Sequence, residues 1–467
     1  MVRKDSVILL REAVATDSSY VDTCVREDIP VVCVNRETGN NKRMSFKPLY
    51  DFNRQFWLQN KDWEYFLFKG DHSIILEKIS EAKSSRPAKA KVSGGGDAEA
   101  PDGKLDTGFG DKFEEVESMP EAERVELINE SKHRLDNLFA QKPRPAESLV
   151  TEALVETTCE AVLVNHASLM DAMELGDEEA KKQTQKLVDS TRELVKSSTQ
   201  LISTDIFNDD LMNTLVAKSN GTILQHMTRV YLNGLAFLTY YNKFVSGSSV
   251  INKVRINFDK RYKPFYRMLL PHIHPDYITL ETAYLGGMRI ISENDLYNWA
   301  VGFLIHDIGK AAQVEYHEGE AAYNRDIVME HVKVGYDSVT HKTNYPVDAG
   351  IITGYHHEYY GDENGYGYFR SNLDQYKKDH PQMTLNHCIA FEYSAVEEFQ
   401  ALSFFPAKVL EIIDVFDSVT DPNRKYRKPL STEEALTMMR DEFINKHPKI
   451  DIILFDIFQH FVREKKE

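Results

Sequence analysis

His306 and Asp307 stand side by side at the end of an apolar run, "VGFLIHDIGK", residues 301–310. An imidazole nitrogen and a carboxylate oxygen on neighbouring residues are the mixed donors that divalent transition metals take, and a carboxylate can bridge two ions. The preceding Phe303, Leu304 and Ile305 predict burial, and a buried ionisable pair needs a charge partner, which a metal would supply. More imidazoles and carboxylates follow in order: His331 in "VMEHVKVGYDSV", His356 and His357 in "ITGYHHEYYG", and Asp414 in "VLEIIDVFDSVT", with His226 upstream in "LQHMTRVYL". Any one of them alone is more often a satisfied core or surface side chain. As a series, each in an apolar helical context with glycine-rich loops between, they read as one ligand set.

These side chains need helices to carry them. Leu224, Val230 and Leu232 give the His226 segment a buried side. Residues 111–215 also read as helices, with apolar positions three and four apart, such as Val150 and Leu154. This segment either relays a signal or forms a homodimer, or it packs on the catalytic part; His166 within it reads as structural. Residues 84–110 are rich in Gly, Pro, Ala, Asp and Lys and read as a flexible linker. Before it, residues 1–75 carry the strand-like runs "SVILL", "IPVVCVN" and "EYFLF" and read as a small α/β module whose aromatics form its core. The expected fold class is mainly α, with a small α/β module at the N-terminus.

The 467 residues suffice for two or three domains. With 56 basic against 73 acidic residues, the net charge of −17 disfavours binding to DNA, RNA or an anionic membrane, though a local basic pocket can still take a small phosphate. Cys24, Cys33, Cys159 and Cys388 are scattered, with no Cys-x-x-Cys pair, and read as free thiols in a reducing compartment. The only apolar run near the N-terminus, Val7 to Leu10, is too short for a signal-peptide core, and no run approaches a membrane span, so the expected location is cytoplasmic.

His226 with Arg229 and Val230, then HDIGK, His331 with Gly335, "HHE", a Gly-Tyr loop, Asp414 and "RKYR" together resemble the HD-GYP branch of the HD phosphohydrolases. The resemblance covers roughly the last half of the chain. It implies an all-helical catalytic domain over 216–467, with insertions near 247–290 and 370–400. It implies two divalent transition metals, Fe or Mn, bridged by Asp307 and completed by His226, His306, His331, His356, His357 and Asp414. Lys310 would reach a phosphate oxygen or the leaving group, Gly365 and Tyr366 would shape the substrate pocket, and Arg424 and Arg427 would grip the nucleotide. Asp417, on the face of Asp414, would orient a ligand.

The implied activity is hydrolysis of cyclic di-GMP to pGpG or GMP. A non-catalytic cyclic di-GMP receptor and an HD hydrolase for another phosphate ester are the alternatives. Two departures bear on this. Thr222 stands where some members carry a glutamate for a third metal, which favours two, and Gly367 replaces the loop proline, which predicts a freer loop. The basic, aromatic 247–290 insertion reads as a solvated excursion that packs on a partner rather than a substrate clamp. Its His272 and His274 are not expected to be ligands; His317 reads as exposed, and the 370–400 stretch as a lid.

Overall fold

The computed structural model describes residues 115–142, 146–203, 223–311, 325–362, 364–369, 378–379, 385–398, 400–421 and 428–464, and the backbone of four strands nearer the N-terminus. The chain divides into two compact units, residues 1–103 and 104–467. In the first, β1 (Ile8–Leu9), β2 (Val31–Asn35), β3 (Asn41–Met44) and β4 (Trp63–Leu67) form an antiparallel sheet in the order β1-β4-β2-β3. Three of these strands fall on the runs singled out by their β-branched and aromatic content. The expected linker at 84–110 lies outside the described residues.

Among the described residues, the second unit is helical apart from one small parallel strand pair. It opens with α1 (Glu121–Ala140), α2 (Glu147–Met173) and α3 (Asp177–Ser203). α1 and α3 turn one apolar side inward, through Ile128 and Leu135 and through Leu187, Val188 and Leu194. α2 is apolar over most of its length because its middle, from Thr157 to Leu169, is covered on most sides, by α1, α3 and the next helix, α4 (Ile223–Ser246). The described helices of the 111–215 segment therefore share one core with the helices C-terminal to them. Thr184 and the Leu175 carbonyl bond to the backbone and ammonium of Lys342 at 3.0 and 2.6 Å, and Cys159 meets Thr228 of α4 at 3.4 Å.

After α4 come α5 (Ser248–Arg261), α6 (Lys263–Leu269) and α7 (Leu280–Ala283), within the 247–290 insertion. The solvated excursion expected there is instead a docked layer. Phe258, Tyr262, Phe265 and Tyr266 are buried, and Arg255, Arg261 and Lys263 pair with Glu281, Asp456 and Asp259 at 2.9, 2.7 and 2.6 Å. Most of its aromatics are core, Tyr277 being exposed, and these three cations are already matched.

The remaining helices are α8 (Glu293–Ile305), α9 (Ile308–Ala311), α10 (Arg325–Lys342), α11 (Val347–Tyr355), α12 (Tyr393–Glu397), α13 (Phe405–Thr420), α14 (Thr432–Arg440) and α15 (Ile452–Glu464). β5 (His387–Ala390) and β6 (Ala401–Phe404) pair in parallel and bury Cys388, Ile389, Ala390 and Phe404. Within the stretch read as a lid, β5 is thus core, while 370–377, 380–384 and 399 lie outside the described residues. α14 starts with the expected capping box, Ser431 and Glu434 each satisfying the other's backbone N–H. Among the described residues, no helix is long and apolar enough to cross a membrane.

Two glycines let the central helices touch backbone to backbone. A Cβ at Gly309 in α9 would lie 2.0 Å from the His331 carbonyl oxygen and 2.7 Å from Gly335 N, both in α10. Gly335 in turn leaves room for Thr353 of α11, whose Cγ2 a Cβ would meet at 2.5 Å. Backbone cannot yield as a side-chain tip can, so Gly309→Ala should destabilise the fold by about 1–3 kcal/mol, as overpacking does. Gly176→Ala, with nothing within 4 Å, should be near neutral. Chemical denaturation followed by circular dichroism compares the two.

Candidate metal centre

α8 begins at Ser292, whose hydroxyl accepts from Asp295 N, and its apolar run ends at His306, which caps it. The chain then turns into α9, so His306 and Asp307 project from the junction of two buried helices; both are fully buried. His331 lies on α10, His356 and His357 follow the last turn of α11, His226 lies on α4, and Asp414 and Asp417 sit one turn apart on α13. Packing of α4, α8, α10, α11 and α13 around each other brings all of these to one place.

Each of three imidazoles is turned by its Nδ1–H. His306 Nδ1 donates to the Phe303 carbonyl at 2.9 Å, and His356 Nδ1 to the Thr353 carbonyl at 2.9 Å. A carbonyl only accepts, so the proton is on Nδ1 and the Nε2 lone pair faces inward. His226 Nδ1 is 2.7 Å from Asp417 Oδ2, and Asp417 is gripped by Arg229 Nε and Nη2 at 2.7 and 2.9 Å. Arg229 also donates to Asp421 at 2.6 Å. A carboxylate behind a histidine is the arrangement that fixes tautomer and ring direction in metal sites.

Asp307 presents its two oxygens to different partners. Oδ1 faces His331 Nε2 at 3.1 Å and His356 Nε2 at 3.6 Å. Oδ2 faces His226 Nε2 at 3.5 Å, His306 Nε2 at 3.6 Å and the Lys310 ammonium at 2.5 Å. Two buried donor groups result, Asp307 with His331, His356 and His357, and Asp307 with His226 and His306. Asp414 stands against both, with Oδ1 3.0 Å from His226 Nε2 and Oδ2 3.9 Å from His357 Nε2. Among the described residues, no hydrogen bond reaches His306 Nε2 or His357 Nε2. Buried, inward-facing lone pairs without donors fit a cation, and these groups could hold a metal ion.

The electrostatics agree. Burial drives His306 down to about 3 and His331 to about 4, and pushes His357 well below its ordinary value, so these imidazoles are neutral and ready to ligate. Burial works the other way on Asp307 and Asp414, yet Lys310 and the imidazoles around Asp307, and His226, His357 and Lys310 around Asp414, hold both carboxyls well below the usual range. His226 is different: burial disfavours its charge, but hydrogen bonds to Asp307, Asp414 and Asp417 raise it to about 10. A proton therefore occupies the place a cation would take.

The residues expected to shape the substrate pocket lie alongside. The Tyr366 ring lies 4.3 Å from that of His357, centroid to centroid, and the backbone N–H groups of Tyr366 and Gly367 donate to the His357 carbonyl at 2.9 and 3.2 Å. Gly365 N bonds to the Asp362 carbonyl at 2.8 Å. Gly367 has a reason of its own, since a Cβ there would lie 2.4 Å from the Glu358 carboxyl carbon. The freer loop predicted from the missing proline is instead tied down, by an N–H that proline lacks. Arg424, Arg427, Thr222 and His317 lie outside the described residues. His272 and His274 are exposed and join neither donor group, and His166 is buried in α2. Sequence reasoning passed over Lys408, Glu411 and Asp421. The signal was present: Lys408, Glu411, Asp414 and Asp417 place a charge at every third residue of a helix that is otherwise apolar and buried.

Asp417→Asn should weaken metal affinity about 10–100-fold, measured by competition with a chelator, because His226 loses its charged orienting partner. Metal uptake near neutral pH should release about one proton from His226, and affinity should rise with pH between about 6 and 9, because the metal-free ring stays protonated until about 10. Calorimetry in buffers of different ionisation enthalpy counts that proton. No family model matches the chain, and neither a curated protein nor a solved structure does.

Proposed function

We propose that the chain is an HD-GYP-type phosphodiesterase that hydrolyses cyclic di-GMP to pGpG, GMP or both, with two divalent transition ions at the site. The observation that carries this reading is the Asp307 carboxylate shared by two buried donor groups, with the Lys310 ammonium beside it. Oxygen and imidazole donors without a thiolate suit Fe or Mn, and suit Mg less, which prefers oxygen and keeps several waters. Bound there, such ions would supply Lewis acidity toward the phosphate oxygens and a water acidic enough to be deprotonated near neutral pH.

The residues then divide the work. His306, His331 and His357, neutral through burial, offer lone pairs without first losing a proton. Asp307 and Asp414, ionised throughout the neutral range, balance positive charge. Lys310, whose side chain is 13% exposed where Asp307 is closed off, can turn its ammonium to a phosphate oxygen or to the departing 3′ oxygen. Water adds to phosphorus, the P–O3′ bond breaks, and the 3′ oxygen leaves as a hydroxyl, giving a 5′-phosphorylated linear dinucleotide. Tyr366, with its ring on His357, walls the site where a guanine would lie. By the resemblance, Arg424 and Arg427 provide forked donors for the phosphates.

Anaerobically purified protein should hold about two Fe or Mn per chain and convert cyclic di-GMP to pGpG or GMP, read by elemental analysis and chromatography. His306→Ala and Asp307→Ala should abolish turnover by losing metal, whereas Tyr366→Ala should act mainly on KM. Turnover retained by Asp307→Ala with metal still bound would overturn the site. Nucleotide binding without metal would make the protein a receptor, and metal without turnover would point to another phosphate ester.

A further inference from the structure

Of the four charges spaced along α13, Asp414 and Asp417 belong to the metal centre, and Lys408 and Glu411 do not. Both are completely buried. Lys408 Nζ donates to Glu411 Oε2 at 2.6 Å and to the Lys449 carbonyl at 2.7 Å, and it lies 3.6 Å from the centroid of the Tyr360 ring. The other carboxylate oxygen, Glu411 Oε1, accepts the backbone N–H of Tyr359 at 3.3 Å. The pair thus grips two consecutive tyrosines.

Those tyrosines are unusual. Tyr359 and Tyr360 have φ of 48° and 57°, and among the described residues they are the non-glycine positions with positive φ. Such a conformation is disfavoured for a bulky side chain and persists only where the surroundings over-determine it. Besides Lys408 and Glu411, the restraint is Asp451, whose Oδ2 accepts the Tyr360 and Tyr266 hydroxyls, each at 2.9 Å. Asp451 Oδ1 is held by the Tyr284 hydroxyl at 2.6 Å and by the amides of Ile453 and Leu454 at 3.0 and 2.9 Å.

What the turn controls is the site. Tyr359 Oη is 3.4 Å from His357 Nδ1. Immediately after the turn the chain reverses through Gly361 N on the Glu358 carbonyl and Asp362 N on the Tyr359 carbonyl, at 2.8 and 3.0 Å, so that Tyr366 and Gly367 return to the His357 carbonyl. We propose that Lys408 and Glu411 are positioning residues: as a buried pair they hold the left-handed Tyr359–Tyr360 turn, and through it they fix the His357 ring and the Tyr366 loop against the metal centre. The geometric part stands on the contacts above; its functional consequence rests on the metal-dependent reading.

The rival role is a core ion pair with no bearing on the site. A buried pair replaced by apolar groups of similar size is often neutral or stabilising, so stability and positioning can be separated. In Lys408→Met/Glu411→Leu, the melting temperature should hold or rise. Amide hydrogen exchange in the metal-free protein should accelerate at least about tenfold across 359–367 and not elsewhere. Glu411→Gln, which keeps an acceptor for Tyr359 N–H, should restore part of that protection. Unchanged exchange at Tyr366 and Gly367 in a stable double variant overturns the proposal. So does acceleration spread evenly over the chain, and the same criterion applies to Glu411→Gln if the double variant does not fold. In Co2+ titrations read by visible absorption, the double variant should bind the ion at the His357 side about tenfold more weakly. Wild-type protein that takes up no Co2+ would overturn the metal reading, while the exchange comparison would still decide the positioning role.

Discussion

The Asp307 carboxylate, closed off from water among His226, His306, His331, His356 and the Lys310 ammonium, sets the terms for the structure around it. A buried anion of this kind is tolerated only with opposite charge in contact, and buried imidazole lone pairs only with something to accept them. Lys310 meets the first need in part, and a proton on His226 meets some of the second. The remaining inward-facing nitrogens describe a place for cations more than a place for further protons, because burial has already pushed His306 and His331 far below neutrality.

Holding such a cluster takes more than bringing its members near. Rings are turned by Nδ1 anchors, two of them carbonyls at helix ends and one a carboxylate that is itself clamped by Arg229. Helices are brought within backbone contact by Gly309, without which Asp307 and His331 could not face each other at 3.1 Å. α13 is the common strut: one face carries the charges that address the site and its supports, and the rest is apolar and packed.

The loop at 361–369 shows how a local departure can be absorbed. Glycine in place of proline gives up a fixed φ, but Gly367 gains an N–H on the His357 carbonyl and leaves space for the Glu358 side chain. Backbone bonding to one histidine then does what ring rigidity would do, and the loop stays coupled to a residue of the centre.

Residue identity alone determined the chemistry on offer. Imidazole and carboxylate donors in apolar helical settings were legible because ligand type is a property of side chains and helix burial is a property of periodicity. Three of the four strands of the first unit and the cap at Ser431 were legible for the same local reasons. Tertiary structure decided the rest. That Asp417 would serve His226 across 191 residues, that Phe258, Tyr262, Phe265 and Tyr266 would be core, and that Lys408, Glu411 and Asp451 would converge on a left-handed Tyr359–Tyr360 turn are contacts between distant segments. A local pattern records what each side chain can do; which side chains meet is fixed only when the helices pack and every buried polar group must find its partner.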